Sequence, residues 1–158
     1  MRGDPEIIEM LNDVLTAELT TINQYFVDAK MFANWGYERL ADKFRDESID
    51  EMKDAEELIE RILYLDGTPN LQRLNPVRVG ETPVEKLTLA LEGETEAIDR
   101  LNRGVALARE KGDTGTRDVL AEILHGEEEF ADWLEQQFEL IRQVGDALYL
   151  SQQIHDDD

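Results

Sequence analysis

The chain has 158 residues and a mass of 18.2 kDa, which is enough for one domain with a single core. Its 37 acidic and 16 basic residues leave a formal net charge of −21, which repels nucleic acids and anionic membranes and attracts small cations. The sequence contains no cysteine, which excludes disulfides, thiolate catalysis, iron–sulfur clusters and zinc fingers, so we expect oxygen or imidazole ligands for a bound metal ion.

Apolar residues recur every three or four positions along most of the chain, which predicts long amphipathic helices. The first begins at Pro5, after the capping residue Asp4, and ends near Asn34. The second follows immediately and stops at Asp66 and Gly67. The five predicted helices span about 5–34, 37–65, 83–111, 116–144 and 146–153.

The segment from Gly67 to Thr82 has no helical periodicity and is long for a connection within a compact domain. A connection of this kind between the second and third helices is typical of a four-helix bundle with one long crossover, the ferritin-like arrangement. No useful β-strand alternation is present. The sequence therefore predicts one all-α, ferritin-like domain over residues 1–158, with a short C-terminal fifth helix.

Neither a membrane span nor a signal peptide is expected. No apolar run approaches the roughly 18 to 20 residues that a membrane-spanning helix needs. The first residues, MRGDPEIIEML, lack the apolar core of a signal peptide. We therefore expect a cytoplasmic location, with no membrane partner and no nucleic-acid partner.

A glutamate interrupts the apolar stripe near the middle of each long helix, and equal spacing within the two helix pairs predicts that all four lie at one level. These residues are Glu18, Glu51, Glu94 and Glu127. No Lys or Arg falls on these stripes, so buried carboxylates there must be protonated or bridged by metal. Oxygen ligands suit hard cations and iron. A metal-free bundle with protonated carboxylates is the alternative.

Several segments are similar in order and spacing to those of the bacterioferritins: MRGDPEIIEMLN, TINQYF, ESIDEMK, RILYLDGTPNLQ and DWLE. This resemblance covers essentially the whole chain. It implies a hollow shell of 24 subunits that stores iron as a ferric mineral, with a di-iron ferroxidase centre in each subunit and haem b shared between two subunits. It also implies that Glu18, Glu51, Glu94 and Glu127 are carboxylate ligands, with Glu51 and Glu127 bridging.

Two positions depart from the pattern of that family, which has a histidine three residues after each bridging glutamate. This chain has Asp54 and Phe130 at those places. Asp54 shares a helix face with Glu51 and can still ligate, whereas the phenyl ring cannot. Neither His125 nor His155 is placed to replace the missing imidazoles.

We therefore predict an impaired or altered oxidation centre that holds one cation. Its expected ligands are Glu18, Glu51, Asp54 and Glu127. Such a chain would form a homo-oligomer, or a mixed 24-mer with a second bacterioferritin subunit that has both histidines. A fully active ferroxidase with an all-carboxylate centre is the alternative, so whether the chain is an enzyme stays open here.

Met52 points about 100° away from Glu51, onto a second apolar strip outside the core. Ile49, Ile59 and Leu63 share that strip, and Leu19, Ile22 and Phe26 extend it on the first helix. From composition alone, this methionine would pack in a subunit interface. The resemblance instead implies that Met52 is an axial ligand of haem b, with the same residue of a second subunit as the other ligand.

The resemblance also implies a reducing partner, the [2Fe–2S] bacterioferritin-associated ferredoxin. Glu81 and Glu85 match positions that the family uses for docking this partner. Thr68 stands where that surface usually presents a leucine, which is a departure from the pattern.

Overall fold

The computed structural model describes residues 1–154 and confirms the predicted all-α, ferritin-like class. Its helices are α1 (Pro5–Trp35), α2 (Glu38–Tyr64), α3 (Pro83–Glu110), α4 (Thr114–Val144) and α5 (Asp146–Ser151). Residues 1–154 contain no β-strand. His155 lies outside the described residues.

The helix ends follow from local capping chemistry. The side chain of Asp4 accepts a hydrogen bond from the backbone N–H of Glu6, and Pro5 opens α1. Gly36 ends α1 with a φ of 92°, a left-handed conformation that glycine adopts without strain. Helix α4 begins two residues earlier than predicted because Asp113 caps it, accepting a hydrogen bond from the backbone N–H of Thr116.

Helix α1 packs mainly on α2, and α3 mainly on α4, and the two pairs meet through α1 with α3 and α2 with α4. The core has two apolar clusters, one towards each end of the bundle. The first contains Ile7, Leu11, Val14, Leu15, Ala55, Leu58, Ile62, Leu65, Leu101, Ala108, Leu120 and Ile123. The second contains Tyr25, Ala29, Phe32, Leu40, Ala41, Phe44, Leu87, Ala90, Phe130, Leu134 and Tyr149. Each long helix places its central glutamate between the residues that it contributes to the two clusters.

The connecting segment, residues 67–82, runs along α1 and is held there by four polar side chains spaced one turn apart. They accept hydrogen bonds from successive groups of the segment, and each bond is 2.8–3.3 Å long. The acceptors on α1 are Asn12, Thr16, Thr20 and Gln24, and their donors are Asn70, Arg73, Asn75 and Arg78 respectively. These bonds give an irregular segment a fixed course across the bundle.

The expectation that no basic residue lies on the inward stripes was wrong. Lys86, in the first turns of α3, has no exposed surface, and its Nζ lies 2.8 Å from Oδ1 of Asp28 on α1. The ammonium also lies 5.6 Å from the ring centroid of Trp35. Burial raises the pKa of Asp28 to about 6 even though the hydrogen bond from Lys86 opposes the rise. The charge of Lys86 is therefore paired with that of Asp28.

Among residues 1–154, none of the helices combines the length and the apolar character of a membrane-spanning segment.

Candidate metal centre

The four central glutamates point into the bundle from four different helices. Their exposed fractions are 3% for Glu18, 3% for Glu51, 1% for Glu94 and 2% for Glu127. Each side chain lies between apolar neighbours one turn away on its own helix, so the amphipathic spacing that buries those neighbours buries the carboxylate as well. The result is a polar layer across an otherwise apolar core.

Three of these glutamates form a tight group with Asp54. One carboxylate oxygen from each of Glu18, Glu51, Asp54 and Glu127 lies within 4.8 Å of the corresponding oxygen of every other member. Asp54 joins the group because it follows Glu51 by three residues on α2, and it is the only member that is partly exposed. We call these four residues the carboxylate group.

Glu94 lies in the same layer but not in the carboxylate group. The hydroxyl of Tyr25, on α1, donates a short hydrogen bond to Oε1 of Glu94. Tyr25 is itself 1% exposed, so this bond is shielded from water. The tyrosine thus holds one oxygen of Glu94, while the carboxyl group remains a hydrogen-bonding neighbour of Glu127.

Each glutamate of the layer keeps a buried oxygen without any hydrogen-bond donor. These atoms are Oε2 of Glu18, Oε2 of Glu51, Oε2 of Glu94 and Oε1 of Glu127. Within residues 1–154, no lysine or arginine forms an ion pair with any of the four. Unpaired buried carboxylate oxygens are costly in free energy. The layer is therefore suited to binding a cation for which these oxygens are the ligands.

Burial dominates the proton affinity of this layer. It raises the pKa of Glu51, Glu94 and Glu127 well above the usual value for a glutamate, and the neighbouring carboxylates raise it further. The pKa of Asp54 rises to about 7, through burial and then through repulsion by Glu57. These shifts favour the protonated carboxyl groups, so a divalent cation must compete with protons for this layer.

Phe130, one turn after Glu127 on α4, places a phenyl ring against Tyr25, the residue that hydrogen-bonds to Glu94. It is 2% exposed, and its ring centroid lies 5.4 Å from that of Tyr25 and 5.7 Å from that of Phe44. It also stacks on Trp133 with an interplanar angle of 18°. This aromatic packing holds the ring in place and offers no donor atom to a metal.

Lys43 covers the outer side of this aromatic pair. Its Nζ lies 5.6 Å from the ring centroid of Phe130 and 5.1 Å from that of Trp133. The ammonium also forms an ion pair of 3.2 Å with Glu47, whose charge acts on both Glu94 and Tyr25. Lys43 was not among the residues predicted from the sequence, although Lys43, Glu47 and Glu51 are spaced four residues apart and therefore follow one face of α2.

A cavity of about 290 Å³ lies between α1, α3 and the connecting segment. Glu18 lines its inner end, and Glu96, Arg78 and Arg100 line it from the side of α3 and the segment. Because Glu18 also belongs to the carboxylate group, this cavity lies beside that group.

Met52 lies 49% exposed on α2, on a face outside the core. Ile49, Leu63 and Phe26 around it are 39%, 56% and 53% exposed. Ile59, Leu19 and Ile22 are partly buried against the first apolar cluster. We call this area the Met52 surface, and it is an apolar patch that a single chain leaves uncovered.

The remaining predicted residues lie at the surface. His125 is exposed on α4 and takes no part in the carboxylate group. Glu81, Glu85 and Thr68 are also exposed.

Comparison with known proteins gives consistent matches. Residues 8–144 match the family model for the ferritin-like domain. A bacterioferritin from Streptomyces coelicolor is 52% identical over 151 residues, covering 96% of this chain and 90% of that protein. A bacterioferritin from Mycobacterium bovis is 47% identical over 152 residues, 96% of each chain. A third, from Brucella melitensis, is 40% identical over 149 residues, 94% of this chain and 92% of that protein.

Proposed function

Because the chain belongs to the bacterioferritins, within the ferritin-like family, we propose that it is a haem-binding subunit of a 24-chain shell that stores and releases iron. The layer of four buried glutamates, each with an oxygen that lacks a donor, carries this proposal. Iron is the cargo in this function, and glutamates that project into the bundle core bind iron in ferritin-like di-iron proteins. Family membership likewise supports the expected cytoplasmic location.

We also propose that the chain's own oxidation of Fe(II) is impaired. Rapid oxidation at a paired-iron centre needs ligands for two neighbouring ions about 3.5–4 Å apart. The carboxylate group offers ligands for one ion, while Phe130 takes the place of a ligand on the other side of Glu127. A second subunit type with both histidines, assembled into the same shell, would then supply the oxidation.

Stopped-flow absorbance tests this proposal directly. When two Fe(II) per chain are added to the homopolymer in oxygenated buffer, we expect no fast oxygen-dependent phase. Glu94→Ala should leave the slow trace unchanged, because the group that it removes does not complete a two-ion centre.

The second candidate function is a fully active ferroxidase with an all-carboxylate centre. It is favoured by the position of Asp54, which supplies an oxygen to the carboxylate group in spite of its short side chain. A fast phase in the unmodified homopolymer that Glu94→Ala abolishes would establish this candidate and contradict impairment.

We propose that the Met52 surface holds haem b between two chains. A thioether on an uncovered apolar patch fits this role, because two such patches facing each other would enclose a flat apolar group. Met52 of each chain would be an axial ligand. When bound between two thioethers, haem has a raised potential, which suits electron transfer towards stored Fe(III).

Replacing Met52 by leucine tests the haem ligand. We expect Met52→Leu to abolish the absorption spectrum typical of bis-methionine haem, while the shell still elutes at its full size in size-exclusion chromatography. Met10→Leu is the matched control, because Met10 packs against the first apolar cluster and should leave the spectrum intact. An unchanged spectrum in Met52→Leu would show that Met52 is not the haem ligand.

A small [2Fe–2S] ferredoxin is the proposed reductant for this haem. Glu81 and Glu85 are exposed near the start of α3, where a partner can reach them. The exposed Thr68 lacks the apolar side chain that such a surface usually presents, so we expect weaker docking than in the relatives.

A further inference from the structure

The carboxylate group has the dimensions of a site for a single ion. Its four oxygens lie no more than 4.8 Å apart. Oxygens on opposite sides of one ion are separated by about twice the metal–oxygen distance, roughly 4.2 Å for Mg²⁺ and about 4.6 to 5.2 Å for Ca²⁺. The four oxygens can therefore surround one divalent ion after small side-chain rotations, and waters can complete its coordination.

The place next to this group offers few ligands to a second ion. One oxygen of Glu94 accepts the hydrogen bond from Tyr25, and the buried ring of Phe130, which packs against Tyr25, has no donor atom. The ammonium of Lys43 lies over the same ring, and its positive charge is partly offset by the ion pair with Glu47. A cation there would meet an apolar ring without donor atoms and a neighbouring ammonium group.

The donors of the carboxylate group are all oxygens. Imidazole favours Zn²⁺, Fe²⁺ and other borderline ions, whereas carboxylates and water favour Mg²⁺, Ca²⁺ and Mn²⁺. The only histidine among residues 1–154 is His125, which is exposed and lies outside the group. The donor set therefore shifts the selectivity of the site away from the ions that a histidine-containing centre retains.

We propose that the carboxylate group is a mononuclear, all-oxygen site for a hard divalent cation of the Mn²⁺ class, and that Phe130 and Lys43 exclude a second ion. This inference rests on the proposed function, because it concerns the same glutamate layer. It adds the chemical class of the ion and a role for Lys43 in limiting the site to one ion.

Mn²⁺ is a suitable probe, because its electron paramagnetic resonance spectrum distinguishes isolated ions from coupled pairs. Titrating the metal-free homopolymer with Mn²⁺, without iron or oxygen, should give one bound ion per chain and no coupled-pair signal. Glu127→Gln should weaken binding at least tenfold, whereas the matched Glu94→Gln should change it less than threefold. Asp54→Asn, at a partly exposed position, should also weaken binding at least tenfold. Two coupled ions per chain, or equal effects of both glutamine variants, would overturn the inference.

The role of Lys43 is tested in combination with Phe130. Phe130→His alone should still bind one Mn²⁺ per chain, because the ammonium remains. Phe130→His with Lys43→Met should bind two ions and show the coupled-pair signal. Lys43→Met alone should bind one ion, because the phenyl ring stays in place. A second ion in the single Phe130→His variant would remove Lys43 from the explanation.

Selectivity is tested by restoring one imidazole. Asp54→His should raise the ratio of Zn²⁺ affinity to Mn²⁺ affinity at least tenfold relative to the unmodified chain. An unchanged ratio would show that the donor set does not determine the selectivity. These measurements use neither iron nor the assembled mineral, so a shell that stores iron but fails them disproves this inference alone. A chain that binds one Mn²⁺ but takes up no iron disproves the storage function alone.

Discussion

Replacing Lys86 by methionine is expected to destabilise the fold by about 3–5 kcal/mol, because it leaves the buried carboxylate of Asp28 without its partner. The second oxygen of Asp28 already lacks a donor, so no other group can compensate. For a chain of this size, each kcal/mol lowers the unfolding midpoint by about 2–4 °C, which differential scanning calorimetry resolves easily.

The stability that Lys86→Met loses should depend on pH. The pKa of Asp28 in the folded chain, about 6, is above its usual value of 3.8. Without Lys86 the pKa of Asp28 rises further. At pH 5 the folded variant therefore binds a proton at Asp28 and buries no unpaired charge, whereas at pH 8 the charge remains. We therefore expect a smaller loss at pH 5 than at pH 8.

The double variant Asp28→Leu with Lys86→Met is the control. It replaces the ion pair by apolar groups and should recover most of the stability that Lys86→Met loses. If the double variant is as unstable as the single one, lost packing around Trp35 rather than an unpaired charge explains the effect.

The metal-free protein should lose stability as the pH rises, and a divalent cation should restore it. Glu51, Glu94 and Glu127 have pKa values raised in the folded chain, so their contribution is complete below about 4.5 and falls as the pH passes through the raised values. Asp54, with a pKa of about 7, titrates between pH 5.5 and pH 8. In chelator, we expect a higher unfolding midpoint at pH 5.5 than at pH 8.

Adding Mn²⁺ at about 100 times its dissociation constant should stabilise the chain by about 2.7 kcal/mol at pH 8. At pH 5.5 the same concentration should have a smaller effect, since protons compete for the carboxylates. A variant with glutamine in place of Glu18, Glu51 and Glu127 is the control, and it should lose the metal effect and the part of the pH dependence that Glu51 and Glu127 contribute. A metal effect that persists in this variant would place the ion elsewhere.

Helical spacing was sufficient to predict much of this centre. A glutamate that falls on an apolar stripe must face the core once the helix packs, so the inward direction of Glu18 and its three counterparts followed from the sequence. The bundle and its long crossover followed from the same periodicity and from the Pro- and Gly-containing break between α2 and α3.

Spacing could not predict which polar groups pair across the bundle. The hydrogen bond from Tyr25 to Glu94 and the ion pair between Lys86 and Asp28 join residues 69 and 58 positions apart. Both depend on side-chain rotamers that only the packed core determines. The burial of Lys86 could not be predicted for this reason, because a lysine in the first turns of a helix is normally solvated.

The four bonds from α1 to the connecting segment also constrain how this molecule can vary. Their acceptors repeat every four residues on a rigid helix, a rise of about 6 Å each time, and the donors follow in the same order. One residue inserted between Asn70 and Arg78 would displace every later donor from its acceptor. Surface loops usually tolerate changes of length, but here the spacing of the acceptors on α1 fixes the number of residues in the connecting segment.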